Sequence, residues 1–147
     1  MAKFNFRLDS YLNVKEKVEA QKKNEYGQAL ARLETERQKL RELVEQQEEQ
    51  ILNFRKSLET SIRPIEIKRY NNRIEIIKIW IAEQEQRIFA AEDYAEKKRL
   101  ELVEAMKERK MLDTVREKSY EEYVIEEQRA EQRTIDELVS YKASVKV

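Results

Sequence analysis

Cysteine and histidine are absent from the chain, and glycine and proline occur once each, as Gly27 and Pro64. Without His or Cys there is no zinc site of the usual kind, no haem His ligand, no thiol nucleophile and no Ser-His triad. One glycine leaves no P-loop and no G-x-G-x-x-G turn. Strand-rich and mixed folds need many turns, and turns lean on Gly, Pro, Asn and Asp. A chain of 147 residues with two strong breakers therefore has to be dominated by helix. Long apolar runs are missing too. The longest are Ile79–Ala82 and Ile88–Ala91, far short of the ~20 residues that span a bilayer. The first residues lack the apolar stretch of a signal peptide. Any membrane association is expected to be peripheral, and the absence of Cys fits a reducing compartment.

What is present is charge. Asp, Glu, Lys and Arg make up 41% of the residues, 30 basic against 30 acidic. A general nucleic-acid binder is expected to be basic, so nucleic acid is not an expected partner. Charge this dense can also signal disorder, but 40% of the residues are apolar and their spacing is periodic. The balance is global but not local. Residues 55–78 hold seven basic and three acidic side chains, about +4, and residues 117–137 hold eight acidic and three basic, about −5.

The periodicity predicts two helices. The first runs from about residue 10 to 61, with Asn5 or Asp9 as cap. Its second half steps by fours and threes through Tyr26, Leu30, Leu33, Arg37, Leu40, Val44, Gln47, Ile51, Phe54 and Leu58, the seam of a left-handed coiled coil. Before Tyr26 the stripe Leu8, Tyr11, Lys15, Val18 is out of phase by about one residue, which predicts a break near Gly27. Ser61–Pro64 is the strongest turn candidate, with Pro64 at the first position of the second helix. That helix runs to about residue 142. Its seam passes through Tyr70, Ile74, Ile77, Ile81, Gln84, Ile88, Ala91, Ala95, Lys98, Leu102, Ala105, Arg109 and Leu112. The expected fold is all-α, one domain, an antiparallel coiled-coil hairpin. Helix one is roughly 77 Å long and helix two roughly 120 Å. Leu8 then falls opposite about residue 117, leaving roughly 40 Å of helix without a partner in the chain.

Three regions carry candidate binding residues. Ile76, Ile79 and Trp80 widen the apolar face beside the seam, either to pack a bent first helix or a third segment, or to receive a partner. Phe4 and Phe6 either cover the helix end or dock on a partner. The overhang carries Tyr120, Tyr123, Val124, Ile135, Leu138 and Val139, a stripe that another chain can complete. Carboxylate pairs such as Glu121-Glu122 and Glu126-Glu127 lie on a solvated face, so no catalytic, cofactor or metal site is expected.

Some stretches look familiar. Phe4-Asn5-Phe6-Arg7-Leu8, followed by Leu12 and Lys15-Glu16-Lys17, resembles the start of the flagellar export protein FliJ. So does Arg69-Tyr70-Asn71-Asn72-Arg73-Ile74 after the turn. So, most of all, does Leu112-Asp113-Thr114-Val115-Arg116-Glu117-Lys118-Ser119-Tyr120-Glu121-Glu122-Tyr123, with Glu126-Glu127 and Ile135-Asp136-Glu137-Leu138 beyond it. Ser119 stands where a longer polar residue is expected. The resemblance implies a cytoplasmic component of flagellar type III secretion, peripheral to the membrane at the flagellar base. It further implies a general export chaperone and a rod similar to the central stalk of rotary ATPases. Its implied partners are the hexameric export ATPase, the membrane export gate protein and export chaperones. By position on the matched segment it points to Phe54, Tyr70, Ile77, Trp80 and Gln84 for the gate-facing side. The rival reading is a structural coiled-coil spacer that self-associates.

Overall fold

The computed structural model describes residues 3–145. Two helices account for most of them: α1, Asp9–Glu59, and α2, Pro64–Val145. They pack against each other as a helical hairpin, and no strand occurs among the described residues. The starts of both helices follow their local chemistry. The Leu8 carbonyl accepts from the Leu12 amide at 2.9 Å, and Asp9 places a negative charge in the first turn, where the helix dipole favours it. At α2 the Arg63 carbonyl accepts from Glu66 and Ile67 at 3.0 and 3.2 Å. Pro64, which has no amide hydrogen to lose, takes the first helical position. Between them α1 closes with the Thr60 amide and hydroxyl both donating to the Ser57 carbonyl, at 3.3 and 3.1 Å.

The chain divides into two compact units, residues 22–102 and residues 1–21 with 103–147. In the first, the turn-containing unit, the α2 seam lies where its heptads put it. Tyr70, Ile74, Ile77, Ile81, Gln84, Ile88, Ala91, Ala95, Lys98 and Leu102 are all buried or part-buried. The small Ala91 and Ala95 let the helices approach closely, since side-chain size at the contact sets helix separation.

On α1 the seam differs from the expected one at alternate positions. Leu30, Arg37, Val44 and Leu58 are exposed. The buried or part-buried positions from Ala29 on are Ala29, Leu33, Glu36, Leu40, Leu43, Gln47, Gln50, Phe54 and Ser57, with Ile51 beside Gln50 and Asn53 beside Phe54. The two series share every other member and differ by one residue in between. The cause is polar pairing across the helices. Gln84 is only 4% exposed, and its Nε2 donates to the Glu36 carbonyl at 2.9 Å and to the Glu36 carboxylate. Ser57 shares a hydrogen bond with the Tyr70 hydroxyl at 3.2 Å. These two polar residues face inward where α2 supplies their partners, and their neighbours Arg37 and Leu58 face out.

The expected break near Gly27 is also absent. Leu12, Lys15, Glu19, Lys22, Tyr26 and Ala29 continue the same alternation of threes and fours, all at least part-buried. Leu8 and Tyr11 are 40% and 51% exposed. Charged residues disguise this stretch, because they occupy the seam in pairs. In the turn-containing unit Lys22 and Lys98 each reach both Glu25 and Glu101, at 3.2–3.4 Å. In the other unit Lys15 donates to Glu108 at 2.8 Å, and Arg109 bridges Glu19 and Asp113.

This network makes stability depend on pH. Lys98 is held above its ordinary value of 10.5, chiefly by its hydrogen bond to Glu101. Glu101 is held below its ordinary 4.5, chiefly by Lys98. Glu36 is lowered first by the Gln84 amide. A depressed carboxyl contributes stability that is present above about pH 4.5 and lost as pH falls through its folded value; a raised amine contributes stability lost only as pH rises past 10.5. Thermal unfolding followed by circular dichroism is expected to be flat near neutrality and to fall on both sides. Lys98→Met is expected to shrink the acid arm, because Glu25 and Glu101 both lose a cation; an unchanged arm would remove the network from the account.

Gly27 gives a second expectation. It is exposed and helical, and an added Cβ meets nothing within 4 Å. Gly27→Ala is expected to stabilise the chain by about 1 kcal/mol, raising Tm by roughly 2–4 °C for a chain of this size. A lowered Tm would mean that α1 bends there.

Candidate functional site

The candidate sites are surfaces, three in number, and each is set by where the seam leaves apolar residues unburied. Among the described residues no acidic cluster has a metal-holding arrangement, and no helix is long and apolar enough to cross a membrane.

The first surface is a shallow groove in the turn-containing unit, about 170 Å³, lined by Gln46, Gln50, Arg73, Ile76, Ile77 and Trp80. Ile77 is a seam residue, 6% exposed, and forms its floor; Ile76 and Trp80 are 45% and 49% exposed and form its wall. Ile76 and Trp80 are four residues apart, so they share a helix face. Ile79 is 57% exposed but does not line the groove. The Gln50 Oε1 atom is buried and meets no donor among the described residues. A buried acceptor left unpaired costs about 1–3 kcal/mol, and the groove sets polar Gln46, Gln50 and Arg73 beside apolar Ile76, Ile77 and Trp80.

The other candidates from the gate-facing segment sit inside the hairpin. Phe54 lies against Tyr70 with ring centroids 5.4 Å apart. Tyr70 is further held by Ser57 and by the Arg73 guanidinium 5.8 Å over its ring. Gln84 is committed to Glu36. Of the five residues picked out by position, Trp80 is the one with a largely exposed side chain; Ile77 borders the groove, and Phe54, Tyr70 and Gln84 hold the seam together.

The second surface belongs to the other unit. Residues 3–8 fold back as a non-helical hook beside residues 115–126 of α2. Phe6 is 7% exposed and Leu12 is 2% exposed, so this end has an apolar core of its own. Phe4 packs edge-on against Tyr120, centroids 5.2 Å apart at 78°, and at a tilt against Tyr123 at 5.4 Å. Of the two alternatives for Phe4 and Phe6, covering the helix end is the one observed. The hook also shortens the expected overhang. Cover was expected to stop near residue 117, yet Tyr123, Val124 and Glu127 are still part-buried. Tyr120 keeps 52% exposure beside its Phe4 contact. The signal for the hook was the alternation of Phe4, Phe6 and Leu8, which suits an extended segment with one face down.

The third surface follows it. Every described residue from 128 to 145 is exposed. Ile135, Leu138, Val139 and Val145 are 52–65% exposed. Ile135, Leu138 and Val139 stand at i, i+3 and i+4, which lines them up on one side of the helix. Two i,i+7 or i,i+4 polar links, Arg133 to Glu126 and Gln132 to Asp136, support the helix locally.

The hook yields its own test. Phe4→Ala removes one edge-on and one tilted aromatic contact, each worth about 0.5–1.5 kcal/mol beyond area burial. Amide exchange at residues 115–126 is expected to accelerate, while residues 22–102 stay unchanged. Unchanged exchange at 115–126 would show that Phe4 does not hold the hook down.

The chain matches the family described as Flagellar FliJ protein over residues 4–147. Among solved structures it is similar to a YscO homolog of Chlamydia trachomatis, with 21% identity, 97% of each chain covered and a TM-score of 0.63. At that identity the likeness is one of fold. No curated protein sequence matches the chain.

Proposed function

The chain belongs to the FliJ family, components of flagellar type III export, and from that premise we propose that it is the general chaperone and central stalk of the export apparatus. In this reading it is an interaction protein without catalysis of its own. The C-terminal part of α2 enters the hexameric export ATPase, the groove beside Trp80 meets the membrane export gate protein, and the hairpin couples the two. It works in the cytoplasm, peripheral to the membrane at the flagellar base. Export chaperones are further partners.

One observation carries the proposal. From residue 128 onward α2 remains helical to Val145 with every described residue exposed, and its apolar stripe has no cover among the described residues. An amphipathic helix in this condition is the half of a helix-in-groove contact that a protein partner completes. At the other surface, Trp80 beside Ile76 offers the kind of aromatic anchor that dominates interface energetics. Gln46 and Arg73 on the rim of the groove supply polar groups beside that anchor.

The test is hydrolysis by the flagellar export ATPase of the same organism with and without the full chain. Stimulation is expected, and Ile135→Asp with Leu138→Asp is expected to abolish it without changing helical circular dichroism. No binding, together with a tight homodimer by light scattering, would overturn the stalk reading and favour the self-associating spacer. For the groove, Trp80→Ala is expected to weaken capture of the gate protein by roughly 30-fold, the effect of a hot spot of about 2 kcal/mol, with helicity retained. A large loss of helicity instead would make Trp80 part of the core.

A further inference from the structure

The turn end of the hairpin concentrates positive charge that the chain does not neutralise. Between residues 55 and 78, Lys78 pairs with Glu75 at 3.3 Å. Of the rest, Arg55, Lys56, Arg63, Lys68 and Arg69 form no ion pair among the described residues, and Arg73 lies over the Tyr70 ring. Against these six cations stand Glu59 and Glu66 alone, so the end carries about +4 in free charge. Elsewhere in the same unit Lys22, Arg37, Arg41, Lys98 and Arg99 each have a carboxylate partner.

Aliphatic side chains are interleaved with those cations. Leu58 closes α1 at 50% exposure and Ile65 opens α2 at 57% exposure, with part-buried Ile62 between them. Leu58 is outward because Ser57 takes the seam position, and Ile65 because Ile67 does.

We propose that this end of the hairpin docks on an anionic lipid surface, with Leu58 and Ile65 entering the headgroup boundary and Arg55, Lys56, Arg63, Lys68 and Arg69 meeting lipid phosphates. The cations point to lipid rather than to an acidic protein. None is held in a fixed orientation by a partner, and the local aromatics, Phe54 and Tyr70, are engaged with each other. A shaped acidic groove rewards fixed, bidentate geometry and an aromatic anchor. A fluid anionic surface asks only for mobile cations next to short apolar side chains, and basic charge plus apolar insertion is the two-signal combination that holds a protein at a bilayer. Among the described residues no helix is long and apolar enough to cross a membrane. The proposal stands on the turn residues themselves and is independent of the ATPase-stalk reading.

The test is flotation of the full-length chain with vesicles of phosphatidylcholine alone, or of phosphatidylcholine with about one third phosphatidylglycerol, each lysine or arginine near an anionic surface being worth roughly five-fold in partitioning. Binding is expected to the anionic vesicles only, weakening as salt rises. The triple variant Lys56→Gln, Arg63→Gln, Lys68→Gln is expected to lose roughly 100-fold. A control triple of exposed cations on the same unit, Lys23→Gln, Arg32→Gln, Lys97→Gln, is expected to retain binding. Leu58→Ser with Ile65→Ser is expected to remove the fraction that survives high salt. All variants should keep wild-type helicity. Equal flotation with both vesicle types, or equal loss in the two triples, would overturn the proposal. So would absence of flotation while the first triple still loses capture by the gate protein, a result that assigns the turn end to an acidic protein instead.

Discussion

Gln84, almost fully buried, donates to Glu36 across the hairpin, and about four helical turns away Lys22, Glu25, Lys98 and Glu101 close a four-membered ionic cluster. These contacts constrain everything else. An apolar seam of Ala, Leu and Ile tolerates sliding by a heptad at small cost, because one aliphatic side chain replaces another. A seam with buried polar members does not, since each slip strands a charge or an amide without its partner. The polar pairs therefore fix both the antiparallel register and the positions that must face outward. The exposure of Leu58 beside Ser57, and of Arg37 beside Glu36, is a by-product of that choice.

α2 could be read from sequence almost residue by residue. Its seam positions between Tyr70 and Leu112 are mostly Ile, Leu and Ala, and Pro64 marks its start without ambiguity. α1 was legible at every second seam position. Glu36, Gln50 and Ser57 look like surface residues when α1 is read alone, and their neighbours Arg37, Ile51 and Leu58 look no worse as seam members. The information that decides between them lies on the other helix, in Gln84 and Tyr70. The stretch before Gly27 failed for the same reason, because Lys15, Glu19 and Lys22 hide an unbroken phase behind charge. The hook was visible as a pattern in Phe4, Phe6 and Leu8 but not as a destination.

The candidate surfaces were legible in their apolar members and illegible in their geometry. Ile76, Ile79 and Trp80 read as one patch in sequence, yet Ile76 and Trp80 share a wall of the groove and Ile79 does not line it. Gln50 drew no notice as a seam polar residue, although its side chain lines the groove. Resemblance by position selected Phe54, Tyr70 and Gln84, which the fold uses internally. A residue type suited to binding is equally suited to holding two helices together, and only the partner helix tells the two uses apart.

The hairpin also prescribes an order of assembly. Ser57 and Tyr70 are 13 residues apart in sequence, whereas Lys15 and Glu108 are 93 apart. Closing the longer loop first costs about 1.7 kcal/mol more in chain entropy than closing the shorter. Contacts nearest the turn therefore form earliest, and each one shortens the loop that the next must close, so the helices zip from Pro64 outward. Phe4 on Tyr120 lies at the far end of that sequence of events. By the same loop entropy it is the costliest of these contacts to close on its own, which leaves Tyr120 and Tyr123 as the aromatic site whose internal partner an external one displaces at least cost.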